Sequence, residues 1–330
     1  MSLSDPEGAA ARLLRWRWTL PLVALVGGAA LWVATWPFWN NRFSLDVTAG
    51  YASVVAAERR DHRVSISLPT TAKVQISGYR VDEASAGLAP LATLPGLITL
   101  QADRIVLRTL TLTEGSHLAF ARGAGGSQEI LLRGHAALEL TLVGDIRVSH
   151  GAGELKLVGE SAPMVLTVIP GDPRNPMRIS VEAPEPLPVV ELLDQRVTSL
   201  RFTRPRPSID DQRPVYRSEI TAGTLRLLDV EQAVTLKLRD LVWFREESAT
   251  LYRMAFTADG VVVEATGQAR AMSIGPQVGE GQEARGDRNL TPTVFGYLLG
   301  RHDLKLLWGG AVGLLMALWK ARQWALKVAT

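Results

Sequence analysis

Cysteine is absent from this 330-residue chain. That absence excludes disulfide bonds, thiolate-bound zinc and cysteine nucleophiles together. Histidine is scarce, with five in all. Four lie away from the ends, at His62, His117, His135 and His150. No two of them have the spacing of helical metal ligands, and none has a carboxylate at a recognisable offset. The last three fall on adjacent predicted strands, where solvated or satisfied strand-end histidines are expected rather than a metal cluster. The central region is also poor in tryptophan. Of nine Trp residues, Trp243 alone lies outside the two apolar ends and their flanks. A soluble globular chain would spread them through its core.

Excess positive charge is missing from the centre too. The net charge is +3, but Arg12, Arg15, Arg17, Lys320, Arg322 and Lys327, set against Asp5 and Glu7, place +4 at the ends. The remainder sums to −1. A body without surplus cations lacks the phosphate-neutralising term that dominates nucleic-acid binding, so no nucleic-acid partner is expected.

What is present is an apolar run. No charged residue falls between Arg17 and Arg42. Residues 18–39 span roughly the 30 Å of a bilayer core at about 1.5 Å per residue. Pro21 falls in the first turn, where its missing N–H matters least. Trp16 and Trp18 precede the run and Trp36 and Trp39 close it, as aromatic belts do. A buried core helix and a cleaved signal peptide are the rival readings. The run is long for a signal peptide, and Ala34-Thr35-Trp36-Pro37 is a poor cleavage site. A retained transmembrane helix is expected, with residues 1–17 as a cytoplasmic tip.

A second apolar segment, 304–319, is interrupted only by Lys305 and bracketed by Trp308 and Trp319. Its uninterrupted part is short for a span, yet the basic flank after it favours one. The alternative is an amphipathic helix lying on the membrane surface. Gly309, Gly313 and Ala317 recur at every fourth position and make a candidate close-packing face, with Ala24 and Gly28 of the first segment as the opposing surface. Helix pairing within the chain, self-association and docking on another membrane protein are all consistent with that stripe.

Between the segments the pattern has period two. Val64, Ile66 and Leu68, then Val74 and Ile76, Leu138, Leu140 and Leu142, Ile146 and Val148, and Leu155 and Leu157 alternate with polar neighbours. Short alternating runs without intervening helical patterns predict a mainly β body: a sandwich, a jelly roll or a solenoid-like stack. A change of parity between Leu107 and Leu110 predicts a bulge or a strand passing between two sheets. Residues 43–62 are ambiguous, since Tyr51 to Arg60 could form a short helix leading into the body. The expected organisation is a β-rich domain over 40–203, a Pro-rich linker over 204–214 and a second β-rich block over 215–275. A flexible linker over 276–290 and a helical region over 291–330 complete it. Whether the two β blocks are separate modules is left open.

Chemistry is hard to find. Gly159-Glu160-Ser161-Ala162-Pro163 has proline where a nucleophile elbow needs its second glycine. Gly279-Glu280-Gly281-Gln282-Glu283-Ala284 resembles a dinucleotide fingerprint but sits in a charged linker outside any βαβ unit. Asp210-Asp211 reads as a solvated turn. No catalytic residue, metal or cofactor is expected.

These features point to a non-catalytic, membrane-anchored cell-envelope protein. Both termini would be cytoplasmic and the body periplasmic, in contact with the lipid bilayer and a membrane-protein partner as a scaffold or accessory subunit. The alternative is a lipid or amphiphile carrier, in which the Leu and Val positions of 138–157 and 225–238 would line an open apolar groove. A glycan-binding site would need Trp243-Phe244, Tyr252, Tyr216 or Tyr79 grouped on one open face.

Overall fold

The computed structural model describes residues 41–81, 96–150, 153–157, 163–172, 175–182, 191–206, 215–245, 247–276 and 288–293, together with Trp32. The chain divides into two compact units, one formed by Asn40–Leu290 and the other by Met1–Trp39 with Thr291–Thr330. The expected transmembrane helix over 18–39 and the second segment over 304–319 lie outside the described residues, Trp32 apart. No helix among the described residues is long and apolar enough to cross a membrane.

The first unit is mainly β. Its opening strands are β1 (Asn41–Ala49), β2 (Tyr51–Ala56), β3 (Arg60–Leu68), β4 (Lys73–Ser77), β5 (Tyr79–Val81) and β6 (Ile98–Gln101). Then come β7 (Arg104–Leu112), β8 (His117–Arg122), β9 (Gln128–Arg133), β10 (Ala137–Val143), β11 (Ile146–His150), β12 (Gly153–Leu157), β13 (Met164–Pro170) and β14 (Met177–Glu182). The rest are β15 (Glu191–Leu192), β16 (Gln195–Arg201), β17 (Thr203–Arg206), β18 (Val215–Ser218), β19 (Ile220–Leu227) and β20 (Gln232–Leu236), then β21 (Asp240–Arg245), β22 (Ser248–Thr257), β23 (Gly260–Ala269), β24 (Ala271–Pro276) and β25 (Arg288–Asn289).

Fifteen of these strands form one sheet, ordered β12-β11-β6-β4-β14-β9-β8-β2-β16-β22-β23-β1-β19-β20, with β15 attached to β22. A five-stranded sheet, β3-β7-β10-β13-β5, shares its core, and β21-β24-β25 form a third sheet. Every described ladder is antiparallel. The arrangement is therefore a set of antiparallel sheets, not a stack of parallel coils. The alternation in the sequence explains the layers: Leu138, Leu140 and Leu142 point inward from β10, and Val74 and Ile76 from β4.

The bulge expected between Leu107 and Leu110 is present. On β7 the pairing with β10 passes from Thr109 directly to Leu107, leaving Arg108 as the extra residue, so the core-facing set changes parity there. The opposite neighbour, β3, bulges at the same level, between Arg63 and Ile66.

Residues 51–60 are not a helix. Tyr51–Ala56 is a strand held between β8 and β16, and Arg60 opens β3. The helix formers Ala56, Ala57 and Glu58 are outweighed by Val54 and Val55 and by ladders on both sides, a tertiary override of local propensity.

The segment expected as a linker, 204–214, does not separate two modules. Its flanks pair as β17 and β18. Strand β1, from the start of the body, lies between β19 and β23 from its end. Both β blocks thus belong to one unit with one continuous core cluster.

The long sheet is sharply bent. In a flat sheet β8 and β22, separated by β2 and β16, would lie about 14 Å apart. Yet the rings of Phe120 and Phe256 stack with centroids 4.6 Å apart. The fold line runs through β16. Residues 195–197 of this strand pair with β22, residues 197–201 pair with β2, and a register shift separates Val197 from Ser199. Strands that change partners through a bulge are the usual means of turning a corner between packed sheets. A second stack, Phe43 on Phe244 at 4.5 Å, fastens β1 to β21 of the third sheet.

Gly260, which begins β23, has φ of 142°, and a Cβ there would stand 2.5 Å from the carbonyl oxygen of Ala49 in β1. Gly260→Ala is therefore expected to cost about 2 kcal/mol or more, by backbone strain and overpacking against β1. Denaturant unfolding followed by circular dichroism measures it, and an unchanged midpoint would refute the tight approach.

Candidate functional site at the end where both termini leave the body

The body is entered at Asn41 and left at Leu290, and both points are tied to the same short stretch of chain. Asn41 is buried, lies opposite Ala269 in the β1–β23 ladder, and its Nδ2 donates to the Ala269 carbonyl at 3.4 Å. Leu290 is also buried, and its N–H donates to the Met272 carbonyl at 2.9 Å. Ala269 and Met272 are three residues apart, which spans at most about 11 Å of extended chain. Entry and exit are thus close neighbours.

The entry is clamped further. The backbone N–H of Arg42 donates to Oδ2 of Asp229 at 2.7 Å, and its Nε donates to Oδ1 at 2.9 Å. Asp229 sits in the β19–β20 turn and is 8% exposed, while the Leu228 N–H closes the loop on the Arg42 carbonyl at 2.9 Å. Charge-assisted bonds to a largely buried carboxylate are among the stronger polar contacts available to a protein. They fix the direction in which the chain arrives.

A second buried carboxylate lies at the bend of the long sheet. Glu247 precedes β22, and its Oε1 accepts the Leu200 N–H at 2.6 Å. Leu200 lies where β16 has left the β22 ladder, so the carboxylate takes the place of a missing strand partner. Oε2 is buried without a hydrogen-bond partner. Burial raises the Glu247 carboxyl above the ordinary carboxylate range to about 7, against the lowering effects of the Leu200 N–H and Arg201.

The histidines do not assemble a site. His62 Nε2 lies 2.8 Å from Oε1 of the fully buried Gln195, and Gln195 Nε2 donates to the Arg196 carbonyl at 2.8 Å. The amide orientation makes Oε1 the acceptor, so the proton sits on His62 Nε2. Burial lowers the His62 pKa and keeps the ring neutral. Burial, aided by Arg133, lowers His117 as well. The His135 carbonyl accepts from Thr113 Oγ1 at 2.7 Å, and His150 ends β11 opposite Gly153. Among the described residues no group of three or more His, Cys, Asp or Glu could hold a metal ion.

The core is closed at most of the described positions that a lipid groove would expose. Leu138, Leu140, Leu142, Ile146, Val148, Leu225, Leu227, Val234 and Leu236 are all buried in one cluster. Within 225–238, Leu228 and Leu238 are open, at 44% and 67% exposure. The aromatic residues are scattered too. Phe244 is buried, Trp243, Tyr216 and Tyr79 are half-buried, and Tyr252 alone of the group is exposed. Tyr252 is the extra residue of a bulge in β22 and stands between two shallow depressions on a polar sheet face.

The packing candidates Ala24, Gly28, Gly309, Gly313 and Ala317 lie outside the described residues, as do Asp210-Asp211 and 279–284. Arg42, Asp229 and Glu247 were not legible in the sequence. Arg42 and Asp229 are 187 residues apart, and Glu247 belongs to an Arg-Glu-Glu-Ser run that reads as a solvated turn. Comparison with known proteins adds no likeness. No family model, curated protein or solved structure matches this chain.

The sign of the Glu247 effect follows from its raised pKa. The folded state holds the proton more tightly than the unfolded state, so stability is lost as pH rises from the ordinary carboxylate range through about 7. The loss is at most about 3 kcal/mol. Glu247→Gln keeps an oxygen for the Leu200 N–H and removes the charge. It is expected to be more stable than the parent near pH ~8 and to lose that advantage near pH ~4. Parallel denaturant curves at the two pH values check this, and a pH-independent difference would contradict it.

Proposed function

We propose that this protein is a non-catalytic, membrane-anchored scaffold or accessory subunit of the cell envelope. Its β body would stand outside the inner membrane, with residues 18–39 and 304–319 as two membrane stems and both termini cytoplasmic. The observation that carries this reading is the adjacency of Asn41 and Leu290 at the Ala269–Met272 corner. Neighbouring first and last anchor points on one unit would let two segments enter one bilayer together, where Ala24 and Gly28 could meet the Gly309, Gly313 and Ala317 face. The clamp of Arg42 by Asp229 supports it as well, because a tether transmits orientation only if it is fixed where it joins the body.

The chemistry supports a binding role over a catalytic one. Of the perturbed groups, His62 and Glu247 are each engaged in holding backbone or core elements in place. The buried Leu and Val rows favour a partner-binding body over an open amphiphile carrier.

The topology is tested in the cysteine-free chain by placing one thiol at the exposed Glu114, in the β7–β8 turn, as Glu114→Cys. A membrane-impermeant maleimide applied to intact spheroplasts is expected to label it. Labelling only after lysis would overturn the outside placement. Extraction of the unlabelled chain without detergent would overturn the anchoring.

A further inference from the structure

The long sheet ends at β20, and the two sides of that strand differ. One side pairs with β19 over Gln232–Leu236 without a register shift, and the other side has no partner strand among the described residues. Exposed edges are normally blunted by charges, prolines, bulges or brevity. Four of the other edges follow that rule. β12 carries Glu154 and Lys156, β3 carries Arg60, Asp61 and Arg63 with a bulge, and β5 and β25 have three and two residues. β20, with the sequence Gln-Ala-Val-Thr-Leu, has none of these protections.

Its flanks are patterned about Val234. Glu231 lies three residues before it and Lys237 three residues after it, and both are exposed. Leu228 and Leu238, exposed by 44% and 67%, mark the two ends of the edge. We propose that β20 is a self-pairing edge, which joins a second copy of this chain antiparallel about a two-fold axis through Val234.

This register places Val234 opposite its own symmetry mate and Ala233 opposite Thr235 of the second copy. It also sets Glu231 of each copy opposite Lys237 of the other. The two charge pairs flank the joint just beyond the strand ends, while Ala233 and Thr235 meet on the outer face and the Val234 pair continues the core face. A slip of one residue would set core-facing positions against outward ones, and a slip of two would break the Glu–Lys matching. The pairing is isologous, as closed dimers require. It also brings the Leu228 end of each edge beside the Leu238 end of the other. Because the axis is normal to the shared sheet, the two entry points at Arg42 lie at opposite ends of the joint. Two copies in one membrane would therefore hold the joined strands along the bilayer plane. The inference itself rests on the edge alone and holds whether or not the membrane reading does.

The test is the oligomeric state of the full chain in detergent, by sedimentation. The parent is expected to dimerise. Lys237→Glu and Glu231→Lys each set like charges opposite one another twice and are expected to weaken the dimer about tenfold or more, while the double exchange E231K/K237E restores it. A parent that stays monomeric overturns the proposal. So does a dimer indifferent to both single reversals, which is the result expected of association through the terminal segments instead. A folded double exchange that fails to restore the dimer also overturns it. Should a single reversal fail to fold, cross-linking decides the matter. Chains carrying Ala233→Cys and Thr235→Cys are expected to form the mixed disulfide in preference to either like pair, and equal yields would reject the register.

Discussion

The ladder of β1 is the constraint on which the rest of the body depends. Nine residues from the start of the unit, Asn41–Ala49, lie between β23 on one side and β19 on the other. Their alternation buries Phe43, Leu45 and Val47 completely or nearly so. Phe43 then stacks on Phe244 and brings the third sheet onto this one. At Gly50 the chain passes directly into β2, which belongs to the other part of the long sheet, so a single excursion stitches both halves together. Without β1 the late strands would have two open edges, and the entry point would have no fixed place.

The bend in the long sheet is the second structural decision, and it is made by polar groups as much as by packing. β16 exchanges one neighbour for another at Val197 and Ser199, which leaves backbone groups without a strand partner. A buried donor left unpaired is costly, and Glu247 meets that need at Leu200. At the beginning of β16, Gln195 does related work, binding His62 of β3, the Arg196 carbonyl and the Glu58 carbonyl. Both residues are polar, both are buried, and both sit where regular pairing stops. Their positions follow from the topology.

The sequence made some of this visible and hid the remainder for physical reasons. Period-two runs such as Leu138, Leu140 and Leu142 expose the strand character, because one face meets a core and the other meets water. The parity change at Leu107 and Leu110 exposes a bulge for the same reason. The stretch from Tyr51 to Arg60 misleads, since local preferences there favour a helix and only remote partners decide otherwise. The single-unit architecture was not legible across the proline-rich 204–214, because composition reports flexibility of a segment and not which strands its flanks will join. The Arg42–Asp229 clamp and the Glu247 contact were hidden for a related reason: each is created by the meeting of distant segments.

The placement of β1 has a further meaning for how the protein is made. Asn41 and its hydrogen-bond partner Ala269 lie 228 residues apart, so the first strand of the body is completed by nearly the last. A chain synthesised from its N-terminus must keep Phe43, Leu45 and Val47 unpaired until β19 and β23 have appeared. Loops of this length close slowly, and an apolar strand without neighbours is exposed to wrong partners in the interval. The sheets built from residues 51–182 have all their partners early, but β1 is a clasp that shuts only when the late strands are present. A chain stalled before β19 would be left holding that apolar strand open.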